Sequence, residues 1–326
     1  MKLVRLIALA IVVIVLAPVD LSFAKQSHTY RIGLGPWIGF GPLYLAQDKG
    51  FFKKRGVVVD LVVLTGLAER NAALKAGKIE ALAAPVDYFA LAAGNNLETM
   101  IVMAIDESTG GDGIVARRDI ANVEDLKGKH VAFQRGLPGE FFLRALLQST
   151  GLSLHDIRSV DMETAQAGAA FIAGHVDAAV VWEPWLSKAV DSGAGQVLAS
   201  TKDFPNLVVD VLAFNQETFV KSSKDVLAIV AAILDAISYW QNNPEEANRI
   251  MAPHFQVSPE KYALILKGAS FTDLSRNRSY FGSSDAKGPI YDVAKRASAI
   301  WKDAGMISAE IDPNRIISPI PIHNVR

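Results

Sequence analysis

The chain alternates short apolar runs with longer amphipathic stretches, the pattern of strands followed by helices. Residues 30–34 predict a strand that stops at a loop carrying Gly35, Pro36, Gly39, Gly41 and Pro42, with Trp37 as an exposed aromatic in that loop. Leu43, Ala46 and Gln47 then open a helix that Gly50 ends. Residues 57–64 are an unbroken β-branched and leucine run, as a buried parallel strand requires. A helix over 68–76 stops at Gly77 and a short apolar run covers 79–84. Asp87 lies in the first turn of a helix over 88–93, and a strand spans 99–105. Residues 106–113 hold Asp106, Glu107, Ser108, Thr109, Asp112 and three glycines, and suit a crossing between two lobes.

The plan then restarts. The pattern predicts a helical turn at 122–126, a strand at 130–134, a glycine loop at 135–139 and a helix at 140–148. A strand at 157–162, a helix at 164–173 and a strand at 177–181 follow, the last running into Trp182, Glu183, Pro184 and Trp185. A strand at 208–214 carries Asp210 and returns the chain to the first half. From Ser222 the period becomes helical, with Val226, Ile229, Val230, Ile233, Leu234 and Ile237 on one face. Ser222 and Asp225 have capping-box spacing. Further helices are expected at 244–251, 259–268 and 289–305. The alternation predicts an α/β protein with sheets covered on both faces, and two halves alike in plan rather than in sequence.

Composition narrows the function. The 326 residues include no cysteine, which excludes thiolate metal sites, disulfides and thiol nucleophiles. Lys and Arg number 33 against 34 acids, so no basic field draws nucleic acid. Lys2 and Arg5 precede an apolar run over 6–18 and the small residues Ser22 and Ala24, the order of an export signal cut after residue 24. The run is shorter than the roughly 20 residues a membrane span needs. The six histidines are scattered without metal-ligand spacing, and no phosphate-cradling glycine motif stands out. No cofactor and no metal are expected.

Several pieces together resemble a known family. Pro36-Trp37, Gly41-Pro42-Leu43-Tyr44-Leu45-Ala46 and Gly50-Phe51-Phe52 look like the opening of solute-binding proteins of nitrate, sulfonate and taurine-type ABC importers. Ala76-Gly77-Lys78-Ile79-Glu80-Ala81 with Asp87, Leu126-Lys127-Gly128-Lys129, and Gly174-His175-Val176-Asp177-Ala178 with Trp182-Glu183-Pro184 continue the likeness, which covers about 30–305. It implies a two-lobed type II periplasmic binding protein fold, each lobe a mostly parallel sheet flanked by helices, with a helical C-terminal region. Residues 25–110 and 211–326 would form one lobe and 111–210 the other. It further implies a monomer in the periplasm that delivers a small solute to a permease and ATPase, and no enzyme. Pyrimidine-forming relatives of thiamine biosynthesis share the fold. As the resemblance has it, they need a cysteine-rich motif, which this chain lacks.

The expected ligand residues lie at strand ends and helix starts: Trp37, Asp87, Asp106, Asp112, Glu140, Trp182, Glu183 and Asp210. Phe271, Asp273 and Asn277 are weaker candidates. Acids dominate these loops, with Arg135 the main cation. A carboxylate repels an anion about 4 Å away by about 4 kcal/mol at an effective dielectric near 20. Indole faces favour cations by about 0.5–2 kcal/mol. The residues therefore predict a cationic, amine- or guanidinium-like, or zwitterionic ligand. An anion such as a sulfonate, nitrate or bicarbonate, or a pyrimidine thiamine precursor, is the alternative.

Overall fold

Two mixed sheets carry the fold in a computed structural model that describes residues 28–283 and 286–325. The export signal expected over 1–24 lies outside the described residues. The strands are β1 (Thr29–Leu34), β2 (Val58–Val63), β3 (Ala81–Pro85), β4 (Thr99–Ser108), β5 (Asp112–Ala116), β6 (His130–Phe133), β7 (Arg158–Asp161), β8 (Ala178–Trp182), β9 (Gln196–Ser200), β10 (Val209–Asn215) and β11 (Ala269–Phe271). The first sheet has the order β11-β4-β10-β3-β1-β2 and the second β7-β6-β8-β5-β9. In the first, β1, β2, β3 and β4 run one way, with β10 and β11 against them. In the second, only β5 opposes its neighbours. The direction is mostly shared, but antiparallel pairs sit inside both sheets because β5 and β10 adjoin the two crossings between them.

Packing explains the strand chemistry. The central β3 is alanine-rich and buried throughout, so helices can approach it closely from both faces. The long helix Ser223–Asn242 lays the apolar face predicted from Val226 to Ile237 on this core. The second sheet adds a smaller apolar cluster around Val115, Ala132, Phe171 and Val181. Among the described residues no helix is long and apolar enough to cross a membrane.

Several elements differ from expectation. The run at 57–64 is not a buried strand: β2 is a sheet edge, and Val58 and Val63 are exposed. β-branched residues suit an edge as well as a centre, so the run alone does not distinguish them. Asp106, Glu107 and Ser108 belong to β4 rather than to a loop, because β10 and β11 keep pairing beside them. The crossing shrinks to Thr109–Gly111, whose two end amides both donate to the Gly268 carbonyl at 2.8 Å. The turn at Val123–Leu126 is 3-10, capped by Asn122 and Asp125. Ser222 and Asp225 form no capping box. The Ser222 carbonyl already takes the Asp225 amide, and the Asp225 carboxylate accepts instead from the Tyr30 hydroxyl at 2.5 Å.

Candidate functional site

A small cavity, about 30 Å³, lies where the two sheets meet. The first sheet side contributes Trp37, Phe40, Arg70 and Asp210; the second contributes Asp112 and Trp182. Strand geometry sets these positions. Trp37 follows the carboxyl end of β1, and Asp210, second in β10, lies opposite Pro85 at the end of β3 and opposite Asp106 near the end of β4. Asp112 and Trp182 face each other across β5 and β8. The carboxyl ends of parallel strands are where open α/β sheets hold ligands.

Four aspartates converge here, all buried. Asp106 accepts from the Trp37 indole N–H at 3.0 Å through Oδ1, while its Oδ2 has no partner among the described residues. Trp37 is thus buried rather than exposed, held by this bond beside Gly39 and Gly111, where any side chain would collide with its ring. Asp87 heads the helix Val86–Gly94, and neither carboxyl oxygen makes a hydrogen bond of good geometry. Burial pushes Asp87 up to about 7, its own amide opposes the shift, and Asp112 adds to it. Burial likewise raises Asp112 to about 7, with the Ser108 hydroxyl opposing and Glu183 adding. Asp106 and Asp210 titrate as a pair displaced upward, first by burial. The Trp37 bond restrains Asp106, and Arg70 restrains Asp210. Near neutral pH the cluster therefore holds protons.

Arg70 is the cation that sequence reasoning missed. It is 4% exposed, its Nε donates to the Leu64 carbonyl at 3.1 Å, and it forms no ion pair among the described residues. Its guanidinium borders the cavity, pulled down from its ordinary pKa by burial and supported by Tyr88, Asp210 and Asp87. A signal existed: Leu67, Arg70 and Leu74 share one face of the helix Leu67–Lys75, a lone cation in an apolar stripe.

The other candidates stand elsewhere. Glu140 pairs with Arg144 at 2.6 Å and accepts from the Gly136 amide at 2.7 Å, which closes its own helix start. Glu183 accepts from the Ser187 amide and hydroxyl at 3.1 and 2.7 Å. Both carboxylates are satisfied locally and neither lines the cavity. Arg135 borders an outer groove with Arg144 and His155. Phe271 stacks edge-on against Trp240, Asp273 caps the helix Leu274–Phe281, and Asn277 bonds the Ala104 backbone. Among the described residues no group of three or more His, Asp or Glu side chains could hold a metal ion.

Comparison with known proteins gives this arrangement a context. The family described as NMT1/THI5 like matches residues 37–247, about two-thirds of the chain. The taurine-binding periplasmic protein of Escherichia coli is 23% identical over 226 residues, covering 68% of this chain and 70% of that one. Among solved structures, the alkanesulfonate-binding protein SsuA from Xanthomonas axonopodis pv. citri bound to MOPS superposes with a TM-score of 0.77 at 19% identity. That match covers 90% of this chain and 99% of that one. The periplasmic nitrate-binding protein NrtA from Synechocystis PCC 6803 gives 0.73 at 16% identity, over 91% and 88%. The chain belongs to the NMT1/THI5-like family and has the fold of the periplasmic solute-binding proteins.

Proposed function

We propose that the chain is the solute-capturing component of an ABC importer. It would work in the periplasm after removal of its leader, and its solute presents a positive nitrogen, alone or within a zwitterion, to the acid-lined cavity. Family membership and the taurine-binding relative support the transport role. The observation that carries the ligand class is that Asp112, Asp210 and Arg70 line one cavity. Among the described residues the Asp210 carboxyl has no hydrogen-bond donor, and the Asp112 carboxyl has only the Ser108 hydroxyl. An ammonium about 4 Å from a carboxylate gains about 4 kcal/mol at an effective dielectric near 20. Arg70 offers the matching site for a carboxylate or sulfonate oxygen.

The lobes, 25–110 with 211–326 and 111–210, would close over the solute, because only the closed form brings Asp210 and Asp112 to it together. The closed form then docks on a membrane permease whose ATPase supplies the work. The binding protein itself acts as a monomer and not as an enzyme.

The test is the sign of the pH dependence. Residues 25–326 are titrated with guanidine, methylamine, taurine, nitrate and methanesulfonate at pH 6 and 8. A cation must displace protons from the aspartates, so its affinity rises toward pH 8, by up to about tenfold per pH unit for each proton released. A ligand at 100 times its Kd stabilises by about 2.7 kcal/mol, a melting shift of several degrees. Protonated carboxyls can instead donate to an anion beside Arg70. Nitrate or methanesulfonate binding that tightens toward pH 6, without cation binding, overturns the reading.

A further inference from the structure

The inner cavity has room for a few waters, so it admits a head group and little more. Pro36 and Trp182, which wall it, also wall a second space of about 250 Å³ that opens outward. The two spaces therefore adjoin across Pro36 and Trp182. The outer chamber has a different chemistry. Trp182, Trp185 and Phe255 give it flat apolar walls, and no carboxylate among the described residues lines it. Lys188 holds its ammonium 4.4 Å above the Trp185 ring and has no ion-pair partner among the described residues. His254, by contrast, is engaged, stacked on Tyr44 and bonded to Asp48 at 2.8 Å. Gln256 on the same wall has a left-handed backbone, φ 56°, as the residue that ends the 3-10 helix Ala252–Phe255.

We infer that this outer chamber is the second half of the ligand site and that the solute carries a flat ring. The charged head sits among the aspartates, and the ring lies against Trp182 and Trp185 with an electron-rich or anionic substituent toward Lys188. The inference rests on the reading of the inner cavity as the head-group site. It adds what that reading lacks, namely where the rest of the molecule goes. Stacking on an indole rewards a ring of either sign of head group, because the ring contributes apolar area and its quadrupole.

Two matched probe pairs test it on the chain from residue 25: acetamidine against benzamidine, and methanesulfonate against benzenesulfonate. Each pair shares a head and differs by a phenyl ring. We expect benzamidine to bind at least tenfold tighter than acetamidine. Trp185→Ala should reduce that ratio at least threefold. Trp185 packs over Gly168, so a second variant guards against misfolding: Ala165→Trp, at an exposed position on the chamber wall, fills the space and should also collapse the ratio. If neither amidine binds but benzenesulfonate outbinds methanesulfonate with the same response to both variants, the cationic head group is wrong and the ring chamber stands. A ratio near one in whichever pair binds, a ratio that neither variant changes, or no binding by either pair overturns the inference.

Discussion

Asp87 shows how far a single residue can depart from what its position in the chain suggests. An acid in the first turn of a helix is ordinarily favourable by about 0.3–1 kcal/mol. Here the same acid is fully enclosed, and enclosure outweighs the helix dipole. An ordinary Asp ionises near 3.8, and this one near 7 when folded. Between those values the folded chain holds a proton that the unfolded chain releases. The favourable contribution is complete below about pH 4 and is lost as pH rises through 7. Asp87→Asn should remove that slope, gaining on the parent by up to about 1.4 kcal/mol for each pH unit crossed. Urea unfolding at pH 5, 6, 7 and 8 reads it out, and parallel profiles for the two proteins would refute it. Trp37→Phe takes from Asp106 its only donor among the described residues and should cost about 1–3 kcal/mol in the same assay. Glu140 follows the same sequence rule as Asp87, and Glu183 stands just ahead of the helix Trp185–Asp191, yet each finds partners within four residues. The rule marks the start of a helix; it does not say what packs over it.

Elements position these residues by close approach. The 3-10 turn Ile38–Phe40 runs directly into the helix Gly41–Asp48, and Gly39 sits against both the Trp37 indole and the Asp106 carboxyl. Gly39→Ala should therefore push Trp37 off Asp106. We expect a stability loss at least as large as that of Trp37→Phe, together with weaker binding of every head-group probe. Unchanged indole fluorescence and affinity would show that the turn absorbs the methyl. The glycine-rich loop was legible as a ligand loop from its composition. Its tight fold around one indole was not, because the partner, Asp106, lies 69 residues on. The Ser222–Asp225 spacing illustrates the same limit. The local pattern is present, but the helices Gln216–Lys221 and Ser223–Asn242 abut, and Tyr30 claims the carboxylate.

At the scale of the molecule, the two sheets are joined by short crossings and by a few bonds across the cleft. Thr65 accepts from Gln134 through its carbonyl at 3.3 Å, and Lys261 pairs with Asp191 at 2.9 Å. The second is an exposed ion pair, worth about 0.2–1 kcal/mol and screened by salt. If closure governs affinity, Lys261→Ala should weaken ligand binding by no more than about fivefold. The difference should vanish in 0.5 M salt. A much larger loss would mean that closure depends on this latch rather than on the buried cluster. A difference that persists in salt would point away from electrostatics altogether.

The sequence by itself determined the class of the fold, the restart of its plan after the first crossing and the family. These depend on local periodicity and on short motifs whose order survives in the chain. It also marked Trp37, Asp87, Asp106, Asp112, Trp182 and Asp210 as residues at strand ends and helix starts. Only the tertiary structure decided that Trp37, Asp112, Trp182 and Asp210 line one cavity while Glu140 and Glu183 do not, that β2 is an edge, and that Arg70 supplies the buried cation. The reason is physical. Periodicity records which face of an element is apolar, whereas the charge state of a buried carboxyl depends on neighbours brought from distant segments and on the water they exclude.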